Sequence, residues 1–75
     1  MGRYFFDVDD RGRRVEDDVG FDLEDDRQAM REANLLTYHL VHEATFEPRS
    51  GTIMVRVRDE DGACLFETSM SLADD

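Results

Sequence analysis

Hydrophobic and polar residues alternate toward both ends of the chain and recur with helical spacing in the middle. From Tyr4 to Asp9, Tyr4, Phe6 and Val8 fall on one side and Phe5, Asp7 and Asp9 on the other, the two-residue period of a strand with one buried face. Asp9-Asp10-Arg11-Gly12 then supplies turn chemistry, because Asp bonds local backbone and Gly tolerates positive φ. A short strand over Arg13 to Glu16 completes a hairpin. Val19, Phe21 and Leu23 alternate again, and this segment is expected to lie extended with three side chains against the core.

Asp25-Asp26-Arg27-Gln28 reads as a helix start, with a capping Asp, a Gln placed for a capping box and acids suited to the positive end of the helix dipole. The helix is expected to begin near Asp26. Ala29, Ala33, Leu36, Leu40 and Ala44 form one apolar stripe, widened by Met30, Leu35, Tyr38 and Val41. Pro48 disfavours helical geometry in the residue before it, so the helix should end by about Phe46. Ile53, Val55 and Val57 alternate with Met54, Arg56 and Arg58 over Thr52 to Asp59, and Asp61-Gly62 signals a hairpin turn. In the strand that follows, Cys64, Phe66, Thr68 and Met70 are assigned to the inner side and Leu65, Glu67 and Ser69 to the outer. The terminal Asp74-Asp75 is expected to fray.

These elements define an α+β fold of ββαββ order, a four-stranded antiparallel sheet with one helix on one face. Strand order follows from charge. The outer side carries Asp7 and Asp9 on the first strand, Arg56 and Arg58 on the third and Glu67 on the fourth, and opposite charges on neighbouring strands attract. The third strand should therefore lie between the first and fourth, giving the order 2-1-3-4.

Composition narrows the function classes. A chain of 75 residues has room for one domain. Nineteen acids against nine Lys plus Arg give a net charge of −10, and every basic residue is Arg. So negative a surface repels phosphate backbones, which bind through clustered cations, and direct nucleic-acid binding is disfavoured. The lone cysteine, Cys64, cannot form an intrachain disulfide, which leads to the expectation of a reducing, cytoplasmic setting. No stretch has the length of a membrane span and no secretory leader is legible, so no membrane association is expected.

Arg3-Tyr4-Phe5-Phe6, Gly20-Phe21-Asp22-Leu23 before Asp25, the helix positions Ala29, Glu32 and Ala33, and Val57-Arg58-Asp59-Glu60-Asp61-Gly62 together resemble a family of short bacterial proteins known as a domain of unknown function. The resemblance spans nearly the whole chain and implies a stand-alone bacterial cytoplasmic protein. The family usually has Pro where this chain has Glu24. At the position of Asp7 it often has His or another residue, so no role carries over to Asp7.

Candidate chemistry is sparse. His39 and His42, with Glu43 in reach of the same helical neighbourhood, lack the further ligands that complete a zinc site. Asp7, Asp9, Gly12 and Asp18 match points of a calcium loop, which Arg11 spoils by putting a cation at a ligand position. Cys64 is expected to face inward as an inert packing group. No cofactor and no catalytic or metal residues are assigned, and the chain is expected not to be an enzyme. The informative surface is the uncovered sheet face, where Phe5, Met54 and Leu65 stand among Arg56 and Arg58. Apolar side chains rimmed by arginine suit a protein interface. The leading expectation is a small non-enzymatic interaction domain using that face or a strand edge, in a homodimer or on another protein. The alternative is an acidic regulatory, antitoxin-like protein that blocks a basic partner surface.

Overall fold

The computed structural model describes residues 2–44 and 50–72. Within these residues six elements follow one another: β1 Gly2–Asp10, β2 Arg13–Val15, β3 Phe21–Leu23, α1 Asp26–Ala44, β4 Gly51–Arg58 and β5 Cys64–Leu72. The expected helix end near Phe46 and the expected fraying of Asp74-Asp75 lie outside the described residues.

Among the described residues the fold is α+β, with one helix and an open antiparallel sheet of five strands, one more than the alternation suggested. The extra strand is β3, the segment expected merely to lie extended. It pairs with the first residues of β1, Tyr4 opposite Phe21, while β2 pairs with the last, Asp10 opposite Arg13. Both short strands thus share one edge of β1. On its other side β1 meets β4, and β4 meets β5, so the four long-range neighbours run β2-β1-β4-β5 with β3 beside β2's edge of β1.

Turn chemistry explains both hairpins. Arg11 and Gly12 have φ of 53° and 97°, and a two-residue connection with both φ positive matches the twist of the strands it joins. In the β4–β5 turn only Gly62 is left-handed, at 87°. Asp59 accepts from the N–H of Asp61 and Ala63 through Oδ1 and from that of Gly62 through its carbonyl.

Helix α1 starts as its sequence dictates. Asp25 Oδ1 accepts from the N–H of Gln28 at 2.8 Å, and Gln28 Oε1 accepts from the N–H of Glu24 at 2.8 Å. Two amides with no partner inside the helix are thereby satisfied. Ala29 and Ala33 are almost wholly buried against β4, where Ile53, Val55 and Val57 are fully enclosed. Small helix residues let the backbone approach closely, and each fully buried Val or Ile contributes about 1.5 to 3 kcal/mol. Tyr4 and Phe6 complete the core, flanked by Val8, Leu23, Leu36, Leu40 and Phe66. Thr37 is buried too, and its hydroxyl donates to the Ala33 carbonyl at 2.9 Å.

Several side chains expected inside are not. Met30, Leu35 and Tyr38 are exposed on α1; at about 100° per residue Leu35 and Tyr38 lie roughly 160° and 140° around the helix from Ala33. Val19 is exposed, and Phe21, although more than half exposed, sets its ring edge-on to Phe6 at 5.6 Å and borders a recess with Glu32 and Leu36 of α1. Cys64 is exposed as well. Val57 pairs with Phe66 but Arg58 pairs with Cys64, so one residue of β5 is inserted between the two pairs. Such a bulge shifts the alternation by one position. Cys64 therefore shares the outer face with Arg58, and Met70, at the rim beyond the helix, is 48% exposed.

Candidate functional site

The outer face is a ladder of charge. Register sets Phe5 opposite Arg58, Asp7 opposite Arg56 and Asp9 opposite Met54, while β5 places Glu67 opposite Arg56 and Ser69 opposite Met54. Side chains directly opposite one another share a face. Phe5, Met54, Arg56 and Arg58 therefore stand on one surface, with Leu65 at its end, in the bulge.

The charges on that surface are largely committed to one another. Arg58 Nε and Nη2 donate to Asp7 Oδ2 and Oδ1 at 2.6 and 3.0 Å, a two-pronged contact, and Nη2 also donates to the Asp17 carbonyl at 3.0 Å. The guanidinium lies 5.1 Å from the centre of the Phe5 ring, within the range of a cation–π contact. Asp7 is buried at 6% exposure. Arg56 Nε donates to Glu67 Oε2 at 3.0 Å, and both side chains remain well exposed, so this pair contributes little.

Asp17 closes the arrangement. β2 and β3 leave a gap along their shared edge of β1, and there Asp17 Oδ2 accepts from the N–H of Phe6 at 3.1 Å. Its Oδ1 accepts from the N–H of Val19 and Gly20 at 3.0 and 2.9 Å, and its own N–H donates to Asp7 Oδ1 at 2.9 Å. One carboxylate thus does what a strand would do for β1 and also shapes the 16–20 loop. Gly20 must be glycine here. Its φ is 81°, and a Cβ would come within 2.9 Å of Arg3 Cγ and 3.0 Å of Phe5 Cε1. The loop consequently lies on Phe5 and Arg58, a cover that the alternation of the strands did not foretell.

The electrostatics agree with the geometry. The Arg58 guanidinium holds the Asp7 carboxyl below the usual carboxylate range against the opposing effect of burial, with the Asp17 N–H assisting. For Asp17, burial opposes ionisation, but the N–H groups of Gly20, Phe6 and Val19 outweigh it and hold its carboxyl low as well. Tyr4, whose hydroxyl donates to Asp26 Oδ1 at 2.8 Å, is pushed up to about 12 by that bond, aided by burial. A depressed carboxylate stabilises the fold above its unfolded value and stops doing so as pH falls through its folded value; a raised tyrosine does the reverse in alkali. Denaturant midpoints should therefore be flat near neutrality, fall below about pH 4 as Asp7 and Asp17 protonate, and fall again above about pH 10. Asp7→Asn with Asp17→Asn should flatten the acid limb, and an unchanged acid limb would count against this assignment.

Of the residues singled out in the sequence, Phe5 and Arg58 are brought into contact, Arg56 meets Glu67, and Met54 is half-buried between Asp9 and Ser69. Leu65 stands apart, bordering a recess of about 370 Å³ shared with Tyr4, Asp26, Asp59, Glu60 and Asp61. Of the calcium-like set, Asp7 is held by Arg58 and Asp9 Oδ1 accepts from the Gly12 N–H. His39 and His42 flank Tyr38, His42 stacked on its ring and His39 edge-on. Among the described residues no three His, Cys, Asp or Glu side chains are grouped to hold a metal ion, and no helix is long and apolar enough to cross a membrane. In the sequence Asp17 looks like one acid of a solvated Glu16-Asp17-Asp18 loop, although an Asp three residues before a Gly also spells the side-chain-capped turn found here.

The other distinctive surface is an edge. Among the described residues β5 pairs only with β4, leaving nine residues, Cys-Leu-Phe-Glu-Thr-Ser-Met-Ser-Leu, along the rim. They carry one charge and no proline. The Arg11 N–H donates to the Thr52 carbonyl, which extends the β1–β4 register by one pair and marks Thr52 as turned toward β1. Alternation along β4 then turns Ile53, Val55 and Val57 toward β5, so their partners Met70, Thr68 and Phe66 point their backbone groups inward. Glu67, Ser69 and Ser71 point theirs outward.

Taken together, the molecule is a small α+β domain with a self-paired outer face and one long, nearly uncharged sheet edge. Residues 3–71 match the family described as Domain of unknown function (DUF6894), and the chain belongs to that family. No curated protein and no solved structure matches it.

Proposed function

We propose that this chain is a non-enzymatic protein-interaction domain of the bacterial cytoplasm that works by strand addition at β5. The observation carrying this reading is the outward row of backbone groups on Glu67, Ser69 and Ser71, in a nine-residue edge strand with a single charge. Edges of this kind attract another strand unless charge, proline or cover prevents it. The outer face around Phe5, Met54, Arg56, Arg58 and Leu65 is the weaker candidate, since its arginines already bond Asp7 and Glu67. Exposed Cys64 accords with a reducing compartment.

Ser69→Pro tests the reading, because it removes an outward N–H while sparing the inward bonds to β4. Affinity capture with the unaltered chain and with this variant, at low and high salt, should return proteins that the variant loses. The same captured set from both would refute edge pairing.

One observation favours the acidic regulatory alternative: four acids, Asp26, Asp59, Glu60 and Asp61, against one cation, Arg3, gather around the recess that Leu65 borders. A partner held there would be basic and would be released as ionic strength rises. Strand addition instead tolerates salt.

A further inference from the structure

We infer that the strand added at β5 is β5 of a second copy, running antiparallel about a two-fold axis at Ser69; this rests on the edge reading above. Three features of the edge select this occupant and this register.

The first is hydrogen-bond phase. Pairing Ser69 with Ser69 of the second copy sets Glu67 opposite Ser71 and Ser71 opposite Glu67, so every outward residue after the bulge meets an outward residue. Shifting the register by two positions sets Glu67 beyond the end of β5 in one direction and Ser71 against Leu65 in the bulge in the other. A shift of one breaks the phase altogether, because it opposes outward residues to Phe66, Thr68 or Met70, whose backbone groups are taken by β4.

The second is charge. Each copy carries a net charge of −10, which opposes association unless the acids are kept apart. β5 is the stretch where they are sparse, and its one acid, Glu67, already meets Arg56 at 3.0 Å. In the Ser69-centred register the two Glu67 stand about 13 Å apart, four residues at ~3.3 Å each, beyond the Debye length of about 8 Å. The acidic turns around Asp59, Glu60 and Asp61 are kept from each other, since the two Cys64 are ten residues or about 33 Å apart, although each turn lies toward the end of the second copy that carries Asp74 and Asp75 in the sequence. A parallel arrangement would lay those ends side by side, and a Glu67-centred one would oppose like charges.

The third is the inner face. Thr68 would meet Met70 of the second copy, and Phe66 would meet Leu72. Met70 is 48% exposed and Phe66 only half-buried, so pairing covers apolar surface that α1 does not reach. The result is one continuous sheet across two copies with a helix on the same side of each half. A symmetric patch that is complementary to itself closes after two subunits and does not propagate.

Sedimentation equilibrium across micromolar to millimolar concentration should give a reversible dimer in the unaltered chain. Ser69→Pro removes both bonds of the central pair and should weaken it at least about tenfold, with an unchanged far-ultraviolet spectrum. Should that variant lose its fold, Ser69→Cys combined with Cys64→Ser supplies a second reading: oxidation should link two chains through residue 69, whereas Thr52→Cys with Cys64→Ser, on a strand away from the axis, should not link. A chain that stays monomeric at millimolar concentration overturns self-pairing while leaving the edge reading intact if Ser69→Pro still abolishes capture of another protein. A dimer of undiminished strength in Ser69→Pro overturns both.

Discussion

Replacing Arg58 with alanine should cost the fold about 2 to 4 kcal/mol, because it strands a buried carboxylate. For a chain of 75 residues, total stability is on the order of 4 to 11 kcal/mol, so the loss should be plain in a urea titration. Asp7 would keep the Asp17 N–H but lose both guanidinium bonds at 6% exposure. Part of the effect is relieved by solvent, since the Arg58 side chain retains 29% exposure, which places the estimate below that for a fully buried pair. Arg56→Ala is the matched comparison. Its partner Glu67 is exposed, so breaking that pair should cost under about 1 kcal/mol. Equal losses for the two variants would mean that the Asp7–Arg58 contact is one more surface ion pair.

Asp17→Ala should be nearly as damaging, at about 2 to 3 kcal/mol, because three backbone N–H groups lose an acceptor at once. The damage should be local before it is global. Amide exchange at Phe6, Val19 and Gly20 should accelerate, while Ile53, Val55 and Val57 on β4 stay protected until the whole fold opens. Asp17→Asn keeps one acceptor oxygen and should fall between the two. Because Arg58 donates to the Asp17 carbonyl and Asp17 donates to Asp7, the effects of Arg58→Ala and Asp17→Ala should fall short of their sum. Strict additivity, or an Asp17→Ala loss below about 0.5 kcal/mol, would contradict a shared network.

What the sequence disclosed and what it hid divide along physical lines. β1 and β4 were legible because each buries one face against a single partner layer, and burial enforces strict alternation. The start of α1 was legible because capping is local: Asp25 and Gln28 act within one turn. The β1–β4 pairing was legible from cross-strand charge, although the sheet it belongs to has a fifth strand. Hidden features all depend on distant contacts. The phase of β5 turns on a bulge that no residue near Leu65 announces, so Cys64 was placed on the wrong face. β3 is only three residues long and owes its strand state to Gly2, Arg3 and Tyr4 beside it. Leu35 and Tyr38 look like core residues in the sequence but lie too far around α1 to touch the sheet.

The candidate surface shows the same division. The presence of Phe5, Met54, Arg56 and Arg58 on one face follows from alternation alone, and that much was legible. That Arg58 bonds Asp7, two residues along from its register partner Phe5, while Asp17 covers both from a loop, is tertiary geometry. It turns a surface that looked available into one already occupied by its own side chains, and it moves attention to β5.

Amide hydrogen exchange along β5, resolved residue by residue, tests the edge most directly. Glu67, Ser69 and Ser71 should exchange fast in dilute solution and slow markedly when the chain associates with itself or with a captured partner, while Phe66, Thr68 and Met70 stay slow throughout. Association that leaves those three outward amides as fast as in dilute solution would contradict strand addition at β5.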